Sequence, residues 1–175
     1  ARGEKYPSPL RAAVLAEKNG ADSVTIHLRE DRRHINELDL KSIKTKLRIP
    51  FNLEIAATNE MMKIALKYKP PYVCLVPEKR KEITTEGGLN LNYKKKFLQK
   101  IIFKLKKNKS RVSLFIEPNL SVVKKAKYLN ADCIEIHTGK ICNLINESKD
   151  FNFELNRIKK AVDLGNKIGM EVHAG

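Results

Sequence analysis

Six short runs rich in β-branched residues alternate with segments whose apolar residues recur at helical spacing, and this alternation leaves few folds open. The runs are ADSVTIHLR at 21–29, FNLEIA at 51–56, YVCLVP at 72–77, RVSLFIEP at 111–118, ADCIEIHTG at 131–139 and MEVHAG at 170–175. Between them, Leu10, Ala13 and Val14 form a helical stripe that opens at Pro7-Ser8-Pro9 and ends at Asn19-Gly20. Leu40, Ile43 and Leu47 form a second, broken by Pro50. Thr58 caps a third that carries Met61, Met62, Ala65 and Leu66 and stops at Pro70-Pro71. Phe97, Leu98, Ile101, Ile102 and Leu105 mark a fourth. Val122, Val123, Ala126 and Leu129 mark a fifth, and Leu155, Ile158, Ala161 and Val162 a sixth over residues 151–165. The stretch just before that last helix reads as a polar loop. The pattern predicts six strands and six helices in strict alternation, with a buried parallel sheet.

A doubly wound open sheet and a (β/α)8 barrel both satisfy that alternation. Polar residues collect where strands end: His27 and Arg29, Glu54, Glu78 and Lys79, Glu117, Glu135 and His137. An open sheet gathers its chemistry at one switch point, whereas a barrel draws it from nearly every strand around one mouth. The expected fold class is therefore α/β of the TIM (β/α)8 barrel family. A whole barrel takes about 250 residues, so 175 residues with six strands are expected to form a single partial barrel domain over 1–175.

Composition excludes more than it selects. Three widely spaced cysteines do not staple a small secreted fold. No apolar run nears the roughly 18 residues of a membrane span, and no basic-then-apolar leader opens the chain. An intracellular, cytoplasmic protein is the expectation. The net charge of +15 comes from 35 basic residues, of which 26 are Lys and nine Arg. The Lys is spread through nearly every polar segment, whereas specific nucleic-acid contacts lean on Arg. The densest run, Lys94 to Lys109, lies on an amphipathic segment and reads as a solvated helix face. A basic nucleic-acid-binding α/β domain remains an alternative on charge alone, with no specific nucleic acid expected.

Three constellations carry the chemistry. In His27-Leu28-Arg29-Glu30-Asp31-Arg32-Arg33-His34, a histidine suited to proton transfer stands near arginines suited to phosphate. A solvated loop of internal ion pairs is the plainer account. Asn52 and Glu54 share one strand face, and a Glu aimed into an apolar mouth titrates high enough for acid–base work. A cross-strand salt bridge is the plainer account there. Glu135 and His137 likewise share a face, where a carboxylate can orient an imidazole or stabilise a cation. No spacing matches a metal site. Cys74 and Cys133 fall in apolar strands as small hydrophobes, and His173 reads equally well as a core or trim residue and as a catalyst.

Taken as a set, YPSP, VTIHLREDRRHI, NLEIAAT, CLVPEKRKEITTEGGLN, VSLFIE and IEIHTG closely resemble the pyridoxine 5'-phosphate synthase family, in order, from residue 1 to 175. The resemblance implies a (β/α)8 barrel assembled as a homo-octamer, working without metal or organic cofactor. It implies condensation of 1-deoxy-D-xylulose 5-phosphate with 3-amino-2-oxopropyl phosphate to pyridoxine 5'-phosphate, inorganic phosphate and water. Position by position, His27 and Glu54 resemble the family's proton acceptors and Glu135 its transition-state stabiliser. Arg29, His34 and Thr84 resemble residues that hold the deoxyxylulose phosphate, and Arg2 one that holds the amino ketone phosphate. The family's N-x-D-H element and its G-H-G histidine do not occur in these 175 residues. On that resemblance they are expected to have little or no synthase activity alone, and a non-catalytic remnant that binds sugar phosphates is the other outcome.

Overall fold

Local signals set the element boundaries in the computed structural model, which describes residues 7–78 and 87–175. Helix α1 (Pro9–Lys18) starts where the Ser8 hydroxyl accepts the Arg11 N–H, with Pro at its first turn. Helix α2 (Glu37–Lys46) starts on a reciprocal pair, the Asn36 side chain accepting the Asp39 N–H and the Asp39 carboxylate accepting the Asn36 N–H. Thr58 caps α3 (Asn59–Tyr68) as expected, and Asn119 caps α5 (Leu120–Tyr128). Helices α4 (Lys95–Lys107) and α7 (Asn152–Lys167) complete the outer layer. The strands are β1 (Val24–His27), β2 (Phe51–Ala56), β3 (Tyr72–Val76), β4 (Arg111–Ile116), β5 (Cys133–Ile136) and β6 (Glu171–Ala174).

The polar loop expected before the last helix is in fact a helix, α6 (Gly139–Asn146), so the described residues hold seven helices rather than six. It escapes a periodicity reading because it spans eight residues and buries none of them. It also lacks a side-chain cap: the Thr138 hydroxyl donates to the Gly175 carbonyl instead, at 2.7 Å.

All five strand pairings are parallel, in the order β1-β2-β3-β4-β5-β6. Each crossover steps the same way round. A doubly wound sheet reverses direction at its switch point, so this winding is that of a barrel wall. The wall curls: one cavity of about 390 Å³ is lined by Thr25, Asn52, Tyr72, Ser113, Glu135 and His173, one from each of the six strands.

Alternation along the strands sorts the chemistry between two faces. Ile26, Leu53, Ile55, Val73, Leu75, Val112, Leu114, Ile116, Ile134 and Ile136 point outward and are buried under the helices. They meet Leu40 and Ile43 of α2, Met61 and Ala65 of α3, Ile101, Ile102 and Leu105 of α4, and Ala126 of α5. Each such side chain stabilises the fold by about 1.5–3 kcal/mol. Lys96, Lys100, Lys104 and Lys107 are exposed on the other side of α4, which makes the lysine run the solvated face its spacing suggested. The inner face is mostly polar. No described helix is long and apolar enough to cross a membrane.

Candidate active site

The inner face carries, strand by strand, Thr25 and His27, Asn52, Glu54 and Ala56, Tyr72, Cys74 and Val76, Ser113 and Phe115, Cys133 and Glu135, and Glu171 and His173. The parallel register puts His27 opposite Glu54, Glu54 opposite Cys74, and Phe115 opposite Glu135. His27 is the hub. Its Nδ1 lies 3.7 Å from Glu54 Oε2, and its Nε2 lies 3.1 Å from Glu78 Oε1. The side chain of Glu78, just past the end of β3, is almost wholly buried, and its second oxygen accepts the Glu30 N–H at 3.0 Å. One carboxylate thus braces both His27 and the loop that follows it.

Glu54 is pushed above its ordinary value, first by burial and then by the nearby negative charge of Glu135, with His27 pulling the other way. A carboxyl so placed takes up a proton more readily than a solvated one. Glu135 also faces Gly175 so closely that any side chain there meets its carboxylate. Burial, followed by the charges of Glu135 and Glu54, pushes the Cys74 thiol well up, which keeps it protonated and unreactive. Asn52 Oδ1 and Ser113 Oγ are buried among these groups with no hydrogen-bond partner among the described residues.

The structure therefore places His27 beside Glu54, with Glu135 on the same face near enough for its charge to act on Glu54. Arg29 stands at the rim, its Nε 3.5 Å from Asp31 and otherwise without a hydrogen-bond partner among the described residues. Asp31 is held at about 2, chiefly by its hydrogen bond to Arg33, so it stays ionised beside both arginines. His34 is exposed in the turn leading to α2 and joins no described contact with the cluster. Arg2 and Thr84 lie outside the described residues. His173 is exposed and paired to Glu171 at 2.7 Å, so it is not a core residue. Glu117 is nearly buried, and it accepts the Gly88 N–H at 2.5 Å, which ties down the end of the glycine pair. Sequence reasoning noted Glu78 and Glu117 as strand-end residues but not what they hold.

His137 is wedged rather than free. Its ring stacks obliquely on Phe115 with centroids 5.0 Å apart, and its Nδ1 accepts the Gly139 N–H at 3.4 Å. A Cβ on Gly139 would sit 2.6 Å from the ring, and one on Gly87 2.7 Å from Nε2. Gly139 does not have a positive φ, so its lack of a side chain serves the histidine and not the backbone. Gly139→Ala is expected to cost about 1–3 kcal/mol through overpacking. In a His137→Ala background the same change should cost less than about 0.5 kcal/mol. Denaturant melts of the four proteins in that cycle measure the difference, and equal costs in both backgrounds would mean the ring is not the obstacle.

The family model described as "Pyridoxal phosphate biosynthesis protein PdxJ" matches residues 1–175. The chain is 54% identical over 175 residues to pyridoxine 5'-phosphate synthase of Pelagibacter ubique, covering all of this chain and 73% of that one. The chain belongs to the pyridoxine 5'-phosphate synthase family. The synthases of Syntrophotalea carbinolica and Zymomonas mobilis are each 51% identical over the whole chain, which spans 73% and 68% of their lengths. Among solved structures, D-psicose 3-epimerase of Clostridium cellulolyticum superposes with a TM-score of 0.59 over 94% of this chain and 66% of its own. At 8% identity that likeness speaks for the fold only. Membership of the synthase family agrees with the partial barrel and with the motifs that carry His27, Glu54 and Glu135. It leaves the roles of individual residues to be argued from their chemistry.

Proposed function

We propose that this chain carries the ring-closing chemistry of vitamin B6 synthesis. In that reaction 1-deoxy-D-xylulose 5-phosphate and 3-amino-2-oxopropyl phosphate condense to pyridoxine 5'-phosphate, inorganic phosphate and water. The observation that carries the reading is a histidine and two acidic groups brought near one another from three strands, in a chain about half identical to synthases along its whole length. Joining an amine to a ketone, then losing water and phosphate, needs several proton transfers near neutral pH. His27 and Glu54 are the proposed proton acceptors. Burial favours the protonated form of Glu54, so it can take a proton from carbon or nitrogen and return it to a leaving hydroxyl. Glu135 is proposed to stabilise the cationic imine that forms between them.

Two phosphorylated substrates need cationic anchors at the mouth. We assign that work to Arg29, His34 and Thr84 for the deoxyxylulose phosphate and to Arg2 for the amino ketone phosphate. Neither metal nor organic cofactor takes part in this proposal. A cytoplasmic homo-octamer is the proposed working form, in keeping with the metabolites it uses and with the family resemblance.

The test is to incubate the full-length protein with both substrates and follow pyridine absorbance together with inorganic phosphate. One phosphate released per ring closed is the expected result, from a protein that sediments as an octamer. Binding of both substrates with neither signal would reduce the protein to a sugar-phosphate binder and overturn the reading.

A further inference from the structure

Glu78 has a task that no strand-face pattern reveals. We propose that it is the positioning residue of the site: it fixes the tautomer of His27 so that Nδ1, the nitrogen facing Glu54, carries the free lone pair. This rests on the reading of His27 as a proton acceptor, and it says which atom of the ring does the accepting.

The geometry supplies the argument. Glu78 offers two oxygens, and both are engaged by groups 48 and 51 residues away in sequence: Oε2 accepts the Glu30 N–H at 3.0 Å, and Oε1 meets His27 Nε2 at 3.1 Å. A backbone N–H only donates. A carboxylate accepts at both oxygens, so the ring nitrogen it meets must be the one that carries hydrogen. A neutral imidazole has one N–H, which leaves Nδ1 bare. Nδ1 is 3.7 Å from Glu54 Oε2, too far for a hydrogen bond. The lone pair therefore looks into the space between His27 and Glu54 and meets no donor among the described residues. When Nδ1 takes a proton from substrate, the ring becomes a cation held between the Glu78 and Glu54 carboxylates. On returning the proton, it is neutral again with its Nε2–H unchanged. The side chain of Glu78 is 5% exposed, against 29% for His27, so water does not compete for the brace as it does for the ring.

The brace also couples the ring to the loop. Glu30 follows Arg29, so the carboxylate that sets the tautomer also pins the backbone next to a proposed phosphate anchor. Glutamine fits the same space but has one accepting oxygen. If it keeps the Glu30 N–H, its amide donates to His27 Nε2 and drives the hydrogen to Nδ1. If it keeps the ring, the loop loses its acceptor.

The experiment is long-range proton–nitrogen correlation on full-length protein labelled at histidine, where these 175 residues contribute four side chains and His27→Asn assigns the one in question. In the unaltered protein, His27 is expected to show a protonated Nε2 and a bare Nδ1. Glu78→Gln should shift that pattern toward Nδ1–H. It should also lower kcat by about 100-fold while KM for both phosphorylated substrates changes less than about threefold. Glu78→Asp, which keeps two acceptors, should recover at least part of the tautomer and of kcat. A bare Nε2 in the unaltered protein overturns the proposal, and so does Glu78→Gln with both the tautomer and the Glu30 amide signal unchanged; an unchanged tautomer with a displaced Glu30 amide supports the brace. The spectra report on the brace without turnover. A correct tautomer in a protein that makes no pyridoxine 5'-phosphate supports Glu78 and sinks the functional reading instead.

Discussion

Replacing Glu54 by glutamine is expected to abolish turnover and raise the melting temperature in the same protein. The two effects share one cause. Glu54 sits between His27 and Glu135 with a side chain 21% exposed, and burial followed by the Glu135 charge lifts its titration above the ordinary 4.5. The folded state thus binds the Glu54 proton more tightly than the unfolded chain does. Below the unfolded value both states are protonated and the favourable contribution is fully present. As pH rises through the folded value that contribution is lost, and at neutral pH the folded protein holds a carboxylate it would rather neutralise. Glutamine copies the neutral form at every pH. At about pH 8 it should stabilise the protein by about 0.5–2 kcal/mol, or about 1–8 °C, with the gain gone near pH 4. Turnover should fall by about 10²–10⁴-fold, because an amide cannot take a proton from substrate in this range. Melts at the two pH values and one steady-state assay measure all three effects. A variant that loses activity with no gain at pH 8 would mean that Glu54 is not strained in the fold.

That coupling explains which parts of the site were legible in the sequence. Glu54 was legible because FNLEIA is bounded by Pro50 and the Thr58 cap, so its alternation has a fixed start and fixed faces. Position within such a strand determines side-chain direction. His27 and Glu135 follow from the same rule on β1 and β5. The brace at Glu78 does not, because it depends on how far β3 runs past β1 across two parallel ladders, and no local pattern carries that offset. Helix α6 was missed for a different reason. Periodicity reports burial, and a helix that buries nothing leaves no stripe to read. Likewise Gly139 looks like an ordinary helix-start glycine until the ring of His137 is seen filling the place of its Cβ.

The sharpest expression of the two-faced sheet is at adjacent residues of β4. Leu114 is completely buried on the outer face, among the side chains that seat the helices. Ser113 faces inward, 6% exposed, lining the cavity with Cys133 and Glu135. Leu114→Ala removes three carbons from a layer packed on every side. It is expected to cost about 2–5 kcal/mol, because the middle strand of the wall cannot collapse onto the space left behind. In a chain of 175 residues that lowers the melting temperature by roughly 4–20 °C. Ser113→Ala removes a hydroxyl that has no hydrogen-bond partner among the described residues, so it forfeits little, and the change should stay within about 1 kcal/mol. Thermal melts of the two variants side by side check the contrast. Equal destabilisation would place the packed core on both faces of the sheet, and the polar opening that gathers His27, Glu54 and Glu135 would then have no room to exist.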